Sequence, residues 1–251
     1  MMQRWLAVPA SCAVLAACQG SHPPEGTAST PSAAQHTQYS EPTLYTIEAR
    51  LPKLKPDWSP LRQCLEAYVA QKKTNFLAGL KQPGAREQAH QLPWDLDLDI
   101  EVLGQAGRLV SVQAQGSSFT GGAHPSPILD TFTYDTQARR LVSLDDLFTD
   151  PAAAESALAA EARRQLLTRL DDNAPLASSA EAINDGTQPG QHHFDVFTLS
   201  PGHDGRADSL TILFPPYQVA AYVAGTQAVD VPVRVFAPWL KPDYRASFAT
   251  P

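Results

Sequence analysis

The chain has 251 residues, of which 43% are hydrophobic and 18% charged, with a net charge of −7 and a pI near 5.4. That length can bury a substantial core in one large domain or two small ones. The acidity argues against a nucleic-acid partner and leaves only weak steering towards basic ones.

The chain opens with its only membrane signal. Arg4 gives a positive start, and the apolar run from Trp5 to Ala17 is too short to span a bilayer. It ends Leu15-Ala16-Ala17-Cys18, which resembles the lipobox of bacterial lipoproteins. The resemblance implies a signal peptide over residues 1–17 and a lipidated Cys18 as mature first residue, carrying a diacylglyceryl thioether and an N-acyl chain such as palmitate. Two or more acyl chains suffice for stable anchoring. Gln19, in place of aspartate, implies an outer-membrane lipoprotein facing the periplasm. The alternative is an ordinary cleaved signal with an incidental cysteine. With Cys12 in the signal and Cys18 lipidated, Cys64 is expected as a lone core thiol, placed among Leu61, Leu65 and Tyr68 at helical spacing.

Residues 18–42 hold few large apolar side chains and read as a disordered tether. A strand is expected over 43–51. Ser59-Pro60 then reads as a helix cap followed by proline in the first turn, with Leu61, Leu65, Tyr68, Val69 and Phe76 on the apolar face and Gln82-Pro83-Gly84 as the stop. From Trp94 to Val102, apolar and acidic residues alternate without a break, which predicts a strand with one buried and one acidic face. Same-face neighbours on a strand lie roughly 6.5–7 Å apart, whereas calcium needs oxygens at about 2.3–2.6 Å, so this strand alone builds no calcium site. Residues 104–107 supply turn chemistry, and 109–115 return as the partner of a hairpin.

Phe119-Thr120-Gly121-Gly122-Ala123-His124-Pro125 falls between two expected strands. Adjacent glycines admit backbone angles that a Cβ resists, and Pro125 biases His124 towards an extended conformation. Two readings are open. One is a tight corner with a hydrogen-bonded histidine; the other is a site with open backbone beside an oriented imidazole.

Strand 128–134 follows. Ser143 and Asp146 have capping-box spacing, with Asp in place of Glu, and Asp150-Pro151 opens a second, alanine-rich helix through Leu158, Leu166 and Leu170. Residues 172–191 read as a polar, mobile connection. Strands are expected over 194–199 and 210–214. A last one carries Val229, Val231, Val233 and Val235, with Pro232 marking an edge or bulge. The expectation is an α+β fold: mainly antiparallel sheet, about seven strands, with two principal helices packed on it.

Three landmarks stand in order: Thr120-Gly121-Gly122-Ala123-His124, the helix entry Leu141-Val142-Ser143-Leu144-Asp145-Asp146-Leu147-Phe148, and the segment from Pro216 to Gly225 with Tyr217 and Tyr222. Together they resemble the extracytoplasmic module shared by the lysozyme-sensing anti-sigma factor RsiV and the accessory region of the peptidoglycan deacetylase PdaC. The resemblance implies a deacetylase-associated part over 43–148, an RsiV-like part over 149–240, a tail over 241–251, and a role at the cell wall. The transmembrane and sigma-binding segments of the one, and the metal-bearing catalytic domain of the other, are not expected here. Gln218 stands where the family commonly carries glutamate.

Three chemistries can be weighed. Ser117, Ser118, His124 and Asp130 have the composition of a triad but lack a nucleophile-elbow pattern. His192, His193, Asp195, His203 and Asp204 could meet at a hairpin mouth, although their spacing matches no familiar zinc motif. Tyr217 and Tyr222 suit a binding face, since tyrosines are rigid amphipathic anchors; the alternative is that they close over the core. The preferred reading is a non-catalytic binding lipoprotein using Thr120, Gly121, Gly122, His124, Tyr217 and Tyr222, with peptidoglycan fragments or a lysozyme-type muramidase as partner. No catalytic residue, metal or cofactor is expected. The alternative is an envelope hydrolase or deacetylase with a histidine-centred or zinc site.

Overall fold

The computed structural model describes residues 34–173, 179–202 and 204–250. Six strands form one sheet in sequence order: β1 (Gln35–Glu41), β2 (Tyr45–Leu51), β3 (Trp94–Ala106), β4 (Leu109–Phe119), β5 (Ser126–Asp135) and β6 (Arg140–Val142). All neighbours are antiparallel except β2 and β3. Helix α1 (Ser59–Gly79) makes the crossover that a parallel pair requires. The fold is α+β, as expected. Part of the expected tether, however, is ordered: β1 pairs along β2 from Gln35–Leu51 to Glu41–Tyr45. Backbone pairing and the Lys73 ammonium over the Tyr39 ring, 3.0 Å from its centroid, hold a strand that has little apolar burial.

The alternation in β3 performs as read. Trp94, Leu96, Leu98 and Ile100 are buried beneath α1, and the acidic residues face the other way. Arg50 on β2 bridges Glu48 at 2.8 Å and Asp97 at 3.0 Å across that second face. β3 runs on through the expected turn to Ala106, with a bulge between Val102 and Gly104, and the chain reverses at Gly107. α1 begins at Ser59 itself, after a 3₁₀ turn at Pro56–Trp58, so Ser59 is the first helical residue and not the cap. Cys64 lies in the core as expected; Cys12 and Cys18 lie outside the described residues. A short helix, α2 (Ala85–Gln91), precedes β3.

The second sheet is β7 (Phe197–Pro201), β8 (Ala207–Phe214) and β9 (Gln227–Pro232), all antiparallel. It meets the first sheet on the face away from α1: Phe197 N donates to Thr131 Oγ1 at 3.0 Å, and Leu199 N to Ser111 Oγ at 2.9 Å. Helix α3 (Pro151–Asn173) covers this sheet, and Leu158 and Leu166 share a core with Leu210, Ile212, Phe214 and Leu109. Two of the three predicted caps form, both in this half. Asp150 Oδ1 accepts from Ala153 N, while Ser143 and Asp146 cap each other reciprocally at 3.1 and 3.2 Å.

Three expectations need correction here. The polar stretch 172–191 contains a helix, α4 (Ala180–Gly186), capped by Ser179. The valine alternation ends at Pro232, after which Val233–Phe236 turns into helix α5 with Val233 still buried. The supposed tail is core: helix α6 (Pro242–Arg245) and the residues after it place Tyr244 and Phe248 inside, and Ala249 N bonds Ala207 O at 2.9 Å. Nearby, the buried Asp135 receives Arg108 through Oδ1 at 2.8 Å and Oδ2 at 2.7 Å. Burial pushes this carboxyl up, but Arg108 and the amides of Ala138 and Gln137 outweigh it and hold it below the usual carboxylate range.

Candidate binding site

The segment after β8 begins with a turn that its sequence disfavours. Gln218 N donates to Pro215 O at 3.1 Å, so Pro216 and Tyr217 are the central residues, and Tyr217 has φ +73°. That is the pattern of a type II turn, whose third position glycine normally takes. A side chain there costs about 1–2 kcal/mol. Two anchors hold the turn. Tyr217 N bonds Ala220 O at 2.9 Å, and the Gln218 amide gives hydrogens to Gly186 O at 2.9 Å and His193 O at 3.0 Å. Val219 and Ala220 then plug into the core, and a 3₁₀ turn at Tyr222–Ala224 returns the chain to the surface.

Across from it lies the β4–β5 corner. Gly121 and Gly122 take φ +88° and +117°, and a Cβ on Gly121 would collide with the Gln88 side chain from α2. The glycines thus serve as a corner, and the corner delivers His124. Its Nδ1 lies 3.0 Å from Pro125 O, which can only accept, so Nδ1 carries the hydrogen. Nε2 is then the acceptor for the Tyr217 hydroxyl at 3.4 Å. Tyr222 lies flat on the imidazole, with centroids 4.2 Å apart and planes at 24°, and its hydroxyl donates to Pro125 O at 3.3 Å. Tyr217 and Tyr222 are 5.6 Å apart at 33°.

His124, Tyr217 and Tyr222 therefore come together from two distant stretches. Tyr217 is 66% exposed and the adjacent Val223 86%. Of the other proposed residues, Gly121 and Gly122 shape the corner. Thr120 lines a separate cavity beneath α1. Cys18 lies outside the described residues. Sequence reasoning missed Gln218 as the donor that ties the tyrosine turn down, Gln88 behind Gly121, and the Pro125 carbonyl that both His124 and Tyr222 use. The amide at 218 was the available signal, since only an amide can donate twice.

The cluster can stack on a flat partner and offer hydroxyl groups beside an apolar rim. The triad does not assemble: Asp130 accepts from Tyr68 at 2.6 Å and Lys72 at 2.9 Å, and among the described residues no hydrogen bond joins His124 to Ser117, Ser118 or Asp130. Burial, and then the Asp130 charge, push the Tyr68 hydroxyl well above its ordinary range, so it remains a donor. His192 pairs with Asp195 at 3.0 Å, and Asp204 faces Arg206. Among the described residues no group of three or more His, Cys, Asp or Glu is placed to hold a metal ion; His203 lies outside them. Nor is any described helix long and apolar enough to cross a membrane.

The class is an α+β module of two joined sheets, each backed by a long helix, with an exposed tyrosine–histidine cluster contributed by both halves. Residues 145–234 match the family described as protein of unknown function DUF3298. Over 150 residues the chain is 26% identical to peptidoglycan-N-acetylmuramic acid deacetylase PdaC of Bacillus subtilis (strain 168), a match taking in 60% of this chain and 30% of that enzyme's length. This bears out the PdaC side of the resemblance. Two crystal structures share the fold. A DUF3298 family protein from Pseudomonas aeruginosa PAO1 has TM-score 0.58 and 20% identity, covering 89% of this chain and 99% of that one. A member of the same family from Bacteroides fragilis has TM-score 0.55 and 14% identity, covering 85% and 94%.

Proposed function

We propose that this protein is an envelope-anchored, non-catalytic binding lipoprotein that captures peptidoglycan fragments, or a lysozyme-type muramidase, through His124, Tyr217 and Tyr222. One observation carries the reading: Tyr217 stands two-thirds exposed in a backbone conformation that opposes any side chain. Strain of this kind persists where the surroundings over-determine it, and it clusters at ligand clamps. A tyrosine ring braced by a second ring and an imidazole is a rigid, amphipathic anchor. The similarity to a peptidoglycan deacetylase supports a partner in the cell wall, and the Cys18 pattern supports lipid anchoring.

The test is titration of the soluble form lacking Cys18 with purified muropeptides and with lysozyme. Tyr217→Ala and His124→Ala are expected to weaken capture about tenfold or more with a nearly unchanged melting temperature. A large loss of stability in both variants, or capture that survives them, would assign these residues to the fold alone. Cys18→Ser is expected to release the protein from the membrane fraction.

A further inference from the structure

Beneath α1, on the other side of the β4–β5 corner, lies a cavity of about 300 Å³. Its apolar wall includes Phe76 and Trp94, both buried and packed edge to face at 5.9 Å. Its polar rim carries Lys72, Asn75, Ser118 and Thr120. Lys72 does not make the cavity an anion trap: its ammonium is 2.9 Å from Asp130, which also receives the Tyr68 hydroxyl, so the charge is already matched. The hydroxyls and the amide can each donate and accept. A charged guest would lose its hydration without finding a free counter-charge, whereas a guest with acceptor oxygens and an apolar face would satisfy both walls. The volume sits at the small end of ligand pockets, equal to about ten waters at ~30 Å³ each.

We infer that this cavity is a second binding pocket, for a single neutral, hydroxyl-bearing ring of monosaccharide size with its apolar face against Phe76 and Trp94. It is separate from the tyrosine–histidine cluster, since the two share the β4–β5 corner but no ring. The experiment titrates the full chain, labelled with fluorotryptophan, with N-acetylglucosamine and follows fluorine NMR, with Trp94→Phe assigning the resonance. The Trp94 signal is expected to move saturably while those of Trp5, Trp58 and Trp239 stay. Asn75→Ala and Ser118→Ala are expected to weaken the titration about threefold or more without shifting the melting temperature. Tyr217→Ala leaves it unchanged, so this pocket and the cluster fail independently. No movement of Trp94 up to about 10 mM sugar, where a site of ~1 mM dissociation constant is mostly filled, would overturn the inference. So would an equal response to cationic glucosamine and anionic glucuronate, or a titration indifferent to both rim variants.

Discussion

Gly186 and Gln218 meet backbone to backbone, so closely that a Cβ on the glycine would overlap the Gln218 carbonyl. The Gln218 amide closes the same contact by donating to Gly186 O and His193 O. Gln218→Glu places a carboxylate against two carbonyl oxygens and is expected to destabilise the protein by about 1–3 kcal/mol at neutral pH in chemical denaturation. Protonation restores one donor. The new carboxyl therefore has a raised folded-state pKa, and the deficit should shrink as pH falls.

Position 217 inverts the usual order of small residues. Alanine there keeps the positive φ, whereas glycine is free of its penalty. Tyr217→Gly should be more stable than Tyr217→Ala by about 1 kcal/mol in thermal or urea unfolding. Both should lose partner capture, which separates the ring's role from that of the turn.

The Arg108–Asp135 pair sets an acid limit. Asp135 has a lowered folded-state pKa, so its contribution is complete above the unfolded value near ~3.9 and disappears as pH falls through the folded one. Glu161, held down to about 2 by Arg164 against its own burial, acts with the same sign. Asp135→Asn should cost about 3 kcal/mol at neutral pH, because the Arg108 charge is left without its partner. It should also flatten the loss of stability below about pH 4 relative to the parent, measured by denaturation across the pH range.

Residues 35–41 should exchange their amide hydrogens far more slowly than an unstructured tether, with protection concentrated at the amides that pair with β2. Exchange at free-chain rates throughout would contradict the β1 assignment.

Where pattern and environment agree, the fold was legible. The period of two from Trp94 onward marked β3, Asp150-Pro151 marked the start of α3, and Ser143 with Asp146 marked a capping box that forms with the shorter acid. The meeting of the glycine corner with the tyrosine segment was expected from the landmarks. Its geometry was not, because tyrosine is a poor guess for a positive-φ position and nothing local announces it. Helix α2 escaped because AREQAHQ has no apolar stripe, and β1 because its stability comes from backbone pairing and not from burial. The valine alternation overran because Pro232 ends a strand without changing the hydrophobicity that follows. The C-terminal residues were read as a tail because Tyr244 and Phe248 are too sparse to form a pattern, yet each fills a gap in the core.

The Tyr222 hydroxyl resting on Pro125 joins segments from opposite sides of the family boundary at residue 145. A fragment excised at 145–234 would keep both phenols and leave the imidazole behind. The segment that carries the whole cluster is therefore wider than the matched region: it reaches back at least to the hairpin that holds Gly121 and His124.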